Sequence, residues 1–394
     1  MSAALALPRP PGRILVVRAD GIGDHVLASG LLPLVRERFP GAGLTVACPD
    51  LVQDLFAACP WVDQVIPFNK RRLHRNPAYR LWLAARVRLA RADLALNTVH
   101  SRDSASDLLC RMSGAPVQVA HLGDGANLMP QRKLRNDRGY THLVGPGPGD
   151  ATELDHHQRF LAFLGITGEV RPTAWVSGAD RERAARLLRE HGLDGPPCLA
   201  FFPGTGDPIR FYGDYGTVLA GFRDRTEAGV VCLGGAGDRD WAEAVLGGLP
   251  GPKANLCGAT SLPQAAAVLE RCRLGFGAET GLAHLAGAVG TPHLVLLGGG
   301  FFGRFMPVSP LTSVVCLPLA CYGCAWNCRF QRPHCVRDIP PGAVLEALLR
   351  AWAAPRDGSR LFYPARPPEL AGPEPARLEG TPVSVRSTLV ALEG

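Results

Sequence analysis

The stretch Ile14-Leu-Val-Val-Arg-Ala-Asp-Gly-Ile-Gly-Asp24 decides how this chain folds. Its first four residues are apolar, a short run that suits a parallel strand covered on both faces. Two glycines follow within the Asp20–Asp24 loop. After them Val26, Leu27, Leu31, Leu34, Val35 and Phe39 recur at helical spacing until Pro40-Gly41 stops the pattern. Pro33 is expected to kink this helix, or to sit where its missing N–H is tolerated. Leu44-Thr-Val-Ala-Cys48 reads as the next strand. Strand, loop, helix and strand in that order imply a parallel, doubly wound sheet.

The same alternation extends outward. Further strands are expected at 64–67, 94–97 and 117–120, and a helix at 153–164. Arg171-Pro172 looks like a linker. A second series then begins with a helix at about 179–191 and strands at 199–202, 230–233, 274–276 and 293–297. The expected organisation is a flexible N-terminus (1–12), a Rossmann-like domain (13–170), and a second one (171–354) that contains a cysteine-rich loop (316–338). A Pro-rich extension (355–394) closes the chain.

Composition sets the bounds. The chain has 394 residues, 46% hydrophobic and 20% charged, which excludes a disordered or fibrous protein. Gly (46) and Pro (35) are abundant, so tight turns are expected. Only three of the 42 basic residues are lysine (Lys70, Lys133, Lys253), a bias that reads as GC-rich coding. A net charge of +7 over this length is too dilute to imply nucleic-acid binding. Residues 1–12 show no secretory signal pattern. The longest uncharged run, Thr280 to Gly303, is broken by glycines, histidines and Pro292, and reads as helix, turn, strand and loop. A cytoplasmic location is expected, and the twelve cysteines then read as thiols or metal ligands.

Three loops carry candidate chemistry. In Asp20–Asp24 the glycines Gly21 and Gly23 let backbone approach a ligand, and the following helix presents free N–H groups. The spacing is not GxGxxG, so the dinucleotide fingerprint fails. Asp24 stands at the helix mouth, where a carboxylate can act as a base or cap the helix. His25 follows it and reads as a site-lining or supporting residue. Pro203-Gly-Thr-Gly-Asp-Pro-Ile-Arg210 follows the first strand of the second half. It offers backbone N–H groups, the Thr205 hydroxyl, Gly206, and the Arg210 guanidinium for a phosphate. Glu279-Thr-Gly-Leu-Ala-His284 follows a later strand and opens a helix. Thr280 and Gly281 would lie at its N-terminus, and His284 would share a face with Thr280. A threonine cap and a core histidine are the structural alternatives.

In this order the loops resemble glycosyltransferase family 9, the bacterial ADP-heptose heptosyltransferases. Residues 14–27 look like the family's amino-terminal signature, and Glu279–His284, continuing to Gly290-Thr291-Pro292, like its carboxy-terminal one. The similar texture runs from about residue 13 to 350. The resemblance implies an α/β GT-B fold, two Rossmann-like doubly wound domains facing across a cleft. It implies an inverting transferase with no cofactor for catalysis, the acceptor on the first domain and the donor on the second. Asp24 matches the catalytic aspartate, with Gly21, Gly23 and His25 on the acceptor side. Thr205, Gly206 and Arg210 match the donor-phosphate loop, where the family usually has Lys at the Arg210 position. Thr280, Gly281 and Leu282 match the diphosphate-binding turn, flanked by His284 and by Glu279, where Asp is usual. The implied partners are ADP-heptose or a related nucleotide sugar and a hydroxyl acceptor: lipopolysaccharide core, another surface glycan or a natural product.

Two further features stand apart. Cys321-x2-Cys324-x3-Cys328-x6-Cys335 places four cysteines in fifteen residues. This pattern suits a structural zinc or a rubredoxin-like iron, with free thiols or a redox disulfide as the alternative. The stretch 70–91 holds Lys70, Arg71, Arg72, Arg75, Arg80, Arg86, Arg88 and Arg91 and no acidic residue. Arg71 and Arg72 would meet an anionic or lipid-linked acceptor, or the anionic inner face of the membrane, unless the stretch is simply a solvated helix. Two other functions fit the same fold, a nucleotide-sugar epimerase and a degenerate glycan-binding or assembly protein. A dehydrogenase is disfavoured by the failed fingerprint.

Overall fold

The computed structural model describes all residues except 1–4, 8, 205, 367, 371–372, 382 and 394. It divides into two compact units, Met1–Trp175 and Val176–Gly394.

The first unit is built on strands β1 (Arg13–Val17), β2 (Gly43–Pro49), β3 (Gln64–Phe68), β4 (Leu94–Asn97), β5 (Val117–His121) and β6 (His142–Val144). Their spatial order is β3-β2-β1-β4-β5-β6, and every pairing is parallel. Strand order reverses between β1 and β4, the switch point at whose carboxyl ends open α/β sheets bind ligands. Ile14, Leu15, Val16 and Val17 are each at most 4% exposed, which accounts for the uninterrupted apolar run.

The apolar periodicity after β1 belongs to two helices, Ile22–Ala28 and Leu31–Arg38, rather than to one kinked at Pro33. The break falls at Ser29-Gly30. A Cβ on Gly30 would lie 2.5 Å from the Arg171 carbonyl oxygen, and Ser29 Oγ accepts the Thr173 N–H at 2.7 Å. The segment after residue 170 is thus packed against this break. Pro33 sits in the first turn of the second helix, where a missing N–H costs no hydrogen bond.

The second unit repeats the plan. Strands β7 (Cys198–Phe202), β8 (Gly229–Cys232), β9 (Lys253–Asn255), β10 (Leu274–Ala278), β11 (His293–Leu296), β12 (Thr312–Val315), β13 (Arg360–Pro364) and β14 (Thr388–Leu392) follow in sequence. Their order, β14-β13-β12-β11-β10-β7-β8-β9, places the reversal between β7 and β10. All pairings are again parallel. The Pro-rich end of the chain contributes β13 and β14 to this sheet, where the sequence suggested only an extension over the surface. The uncharged run after Thr280 forms the helix Gly281–Ala288 and β11. No described helix is long and apolar enough to cross a membrane.

Candidate functional site

At the switch point of the first unit, β1 is followed directly by Arg18, whose side chain is only 3% exposed. Its Nε donates to Asp20 Oδ1 at 3.0 Å, and Nη2 closes a second, shorter contact to the same carboxylate. Nη1 donates to the Thr98 carbonyl at 2.9 Å, just past β4, and lies 3.4 Å from His157 Nε2. Glu153 approaches Nη2 at 3.9 Å. One guanidinium therefore joins the β1 loop, the end of β4 and the helix Glu153–Phe163. Burial opposes ionisation of Asp20, but Arg18 and His25 hold its carboxyl below the usual range.

Asp24 lies in the first turn of the helix Ile22–Ala28 and accepts the Gly21 N–H at 3.2 Å. It therefore does contribute to capping. Burial, reinforced by the neighbouring Asp20 charge, raises its pKa to about 7, with Arg18 acting in the opposite direction. A carboxyl poised there ionises near neutral pH and is suited to taking a proton. His25 is buried, and desolvation lowers its pKa to about 4, so its ring is neutral. Its Nδ1–H donates to the Gly21 carbonyl at 2.8 Å and fixes the turn that carries Asp24.

Arg71 and Arg72 are exposed on the helix Lys70–Arg75 after β3. Lys70 ties that helix to the same loop, donating from Nζ to the Ala19 carbonyl at 3.1 Å. On the next helix, Pro77–Leu89, Leu81, Trp82 and Leu89 are 74%, 48% and 72% exposed among the arginines. His156 and His157 face different neighbours: His156 stacks on His100 with centroids 3.5 Å apart, while His157 meets Arg18.

At the switch point of the second unit, the loops after β7 and β10 pack together. Gly204 has φ +65°, and a Cβ there would stand 2.5 Å from Thr280 Cγ2. Only glycine permits both the backbone turn and this close approach. Thr205 lies outside the described residues. Gly206 has open space around its Cα, and Arg210 extends from the end of the turn, with Asp207 Oδ2 3.6 Å from its Nε. Thr280 is the N-cap of the helix Gly281–Ala288, yet its hydroxyl makes no cap bond and is buried without a partner among the described residues. Arg210 Nε and His284 Nδ1 share that condition. Buried polar atoms left in this state are costly unless a ligand satisfies them. Burial raises Glu279 to about 7, Arg210 offsetting part of the rise, and lowers His284 to about 3. Gly281 and Leu282 follow at the partly exposed helix start. The Gly234–Asp238 turn is closed by Asp238 Oδ2 accepting the Gly235 N–H at 2.8 Å.

Cys321, Cys324, Cys328 and Cys335 all line one cavity of about 190 Å³, together with His334 and Tyr322. The donor set suits zinc or iron. As placed, however, no three His, Cys, Asp or Glu side chains among the described residues stand close enough to hold one ion. The four cysteines converge on this one cavity. All twelve cysteines are free thiols.

Residue type and spacing drew attention to the loops but missed Arg18 and Glu153, and placed Lys70 only within the basic stretch. The arginine directly after the strand, within an otherwise apolar run, was the available signal.

Two doubly wound parallel sheets, each with glycine-bearing loops at its switch point, are the architecture of the GT-B glycosyltransferases. The model for glycosyltransferase family 9 (heptosyltransferase) matches residues 80–332, and the chain belongs to that family. It is 24% identical to lipopolysaccharide heptosyltransferase 2 of Salmonella typhimurium over 353 residues, 85% of this chain and 97% of that protein. Its fold matches the solved ADP-heptose lipopolysaccharide heptosyltransferase II of E. coli with a TM-score of 0.65 at 22% identity, covering 86% of this chain and 98% of the other. A family 9 glycosyltransferase from Veillonella parvula gives a TM-score of 0.66 at 20% identity, covering 77% and 85%.

Proposed function

We propose that this enzyme moves a heptose from ADP-heptose to a hydroxyl of a lipopolysaccharide-core type acceptor, with inversion at the anomeric carbon. The observation that carries the reading is Asp24, a partly buried carboxyl with a pKa raised to about 7 at the switch point of the first unit. Asp24 takes the acceptor hydroxyl proton as that oxygen bonds to the anomeric carbon. The bond from this carbon to the diphosphate breaks, and ADP leaves with the electron pair. Arg210, the Thr280 hydroxyl and the N–H groups at the start of Gly281–Ala288 meet the charge that develops on the leaving group. Gly206 belongs to the same cradle, and Glu279 and His284 flank it. Nothing in this step calls for a cofactor.

The basic helices after β3 supply the acceptor side. Arg71 and Arg72 attract an anionic acceptor, and the exposed Leu81, Trp82 and Leu89 amid arginines suit peripheral contact with an anionic inner-membrane surface. The enzyme would then work on the cytoplasmic face. The cysteine cavity plays no part in the transfer. Its thiols would have to move together to bind zinc or iron, and metal analysis of anaerobically purified protein distinguishes a bound ion from free thiols.

The family match and the Asp24 loop favour transfer over epimerisation or glycan binding alone. The test is ADP release from ADP-heptose with and without deacylated lipopolysaccharide-core acceptor. Acceptor-dependent release that Asp24→Asn abolishes supports transfer. Conversion of the sugar nucleotide without acceptor would favour an epimerase.

A further inference from the structure

Arg210 and Trp326 lie far apart in the sequence, yet the guanidinium carbon sits 4.8 Å from the centre of the indole ring. Trp326 belongs to the cysteine-rich segment, and its position is set by backbone. Three consecutive glycines follow β11. A Cβ on Gly298 would come within 2.5 Å of Trp326, on Gly299 within 2.2 Å of Tyr322, and on Gly300 within 2.3 Å of Trp326. Only glycines let the segment lie so close. Gly323 N–H donates to the Gly299 carbonyl at 2.7 Å, and Ala325 N–H to Gly300 at 2.9 Å. From the same segment, Arg337 Nη2 donates to the Pro208 carbonyl at 3.2 Å and so holds the loop that carries Arg210.

A guanidinium stacked on a ring uses its face, leaving its N–H donors free in the plane. Arg210 Nε has no hydrogen-bond partner among the described residues; Asp207 Oδ2 lies 3.6 Å from it, and Glu279 is near enough to feel its charge. We infer that Trp326 is a positioning residue for the donor: its ring holds the Arg210 guanidinium edge-on to the phosphates of a nucleoside diphosphate. The inference rests on the donor role proposed for Arg210. It gives the cysteine-rich loop a task, to carry the platform on which that arginine rests.

The test is a double-mutant cycle on ADP binding by calorimetry, using the full chain. Arg210→Ala should weaken ADP tenfold or more. Trp326→Leu should weaken it about 3- to 10-fold, and raise KM for the sugar nucleotide with little change in kcat. Trp326→Phe, which keeps a ring face, should retain most of the affinity. In the Arg210→Ala background Trp326→Leu should cost nothing further. Trp326→Met is a second non-aromatic replacement should the Leu variant fold poorly. Wild-type affinity in both non-aromatic variants, an equal loss without Arg210, or no rescue by Phe would each overturn the inference. Unchanged ADP binding by Arg210→Ala would instead overturn the donor role of Arg210, and the inference with it.

Discussion

Arg18 donates to the Thr98 carbonyl at 2.9 Å, so a single buried guanidinium bridges the switch point between β1 and β4. The same group grips Asp20, four residues before Asp24. The loop that carries Asp24 is therefore tied to the sheet through Asp20 and its counterion. Asp20 raises the Asp24 pKa and Arg18 lowers it, and the balance near 7 places ionisation where it is useful.

Asp24→Asn should reduce transfer by 100-fold or more, since a positioned base typically contributes 10²- to 10⁴-fold, while ADP binding stays intact. Its stability should move the other way. The folded pKa is raised above the unfolded value, so the stabilising contribution of protonated Asp24 is present in acid and lost as pH rises through about 7. The Asn variant should then melt above wild type at pH 8 and match it near pH 4. Melting curves across that range check the sign.

The pH profile of kcat/KM should rise with an inflection near 7. Arg18→Met removes the charge that lowers that pKa, so the inflection should move upward. Breaking a buried pair from one side also costs about 3–5 kcal/mol, read by denaturant unfolding. An unmoved inflection in folded Arg18→Met would argue that Arg18 has no electrostatic part in the base.

Gly204→Ala places a methyl against Thr280 at a backbone conformation L-residues disfavour. Strain of about 1–3 kcal/mol should fall on the donor cradle and weaken ADP about tenfold. Gly213→Ala, with open space around it and ordinary backbone, should leave ADP affinity unchanged. Titrations of both variants side by side give the comparison.

Leu81→Ser with Trp82→Ser should reduce sedimentation with anionic vesicles several-fold without altering ADP binding. Charge reversal at Arg71 and Arg72 should do the same, and wild-type binding should fall as salt rises. Neutral vesicles should pellet little protein.

Much of this was legible from local pattern. The apolar run at residues 14–17 and the glycines after it fixed β1, its loop and the parallel order of the first sheet. A few strands were harder to read. β6 and β9 have three residues each, β12 begins Thr-Ser, and β14 follows a Pro-rich stretch, so none has a clean period. Of the two places the sequence allowed Pro33, the tolerated one holds, and the break at Ser29-Gly30 was not foreseen because its cause, the Arg171 backbone, lies far along the chain. Asp24, Thr280 and Arg210 could be singled out because each sits in a glycine-bearing loop. Arg18 and Trp326 were not, since Thr98, His157 and Arg210, which they meet, come from other strands and loops. The cysteine spacing suggested ligand geometry, but spacing does not fix where the side chains converge.

Thermal stabilisation of the pure protein by ADP, ADP-heptose, UDP and GDP tests the central reading most directly. A ligand at about 100 times its dissociation constant adds about 2.7 kcal/mol, a readily measured shift. Selective stabilisation by ADP and ADP-heptose, lost in Arg210→Ala, is the expected result. Stabilisation by UDP or GDP in their place, or by none of the four, would contradict it.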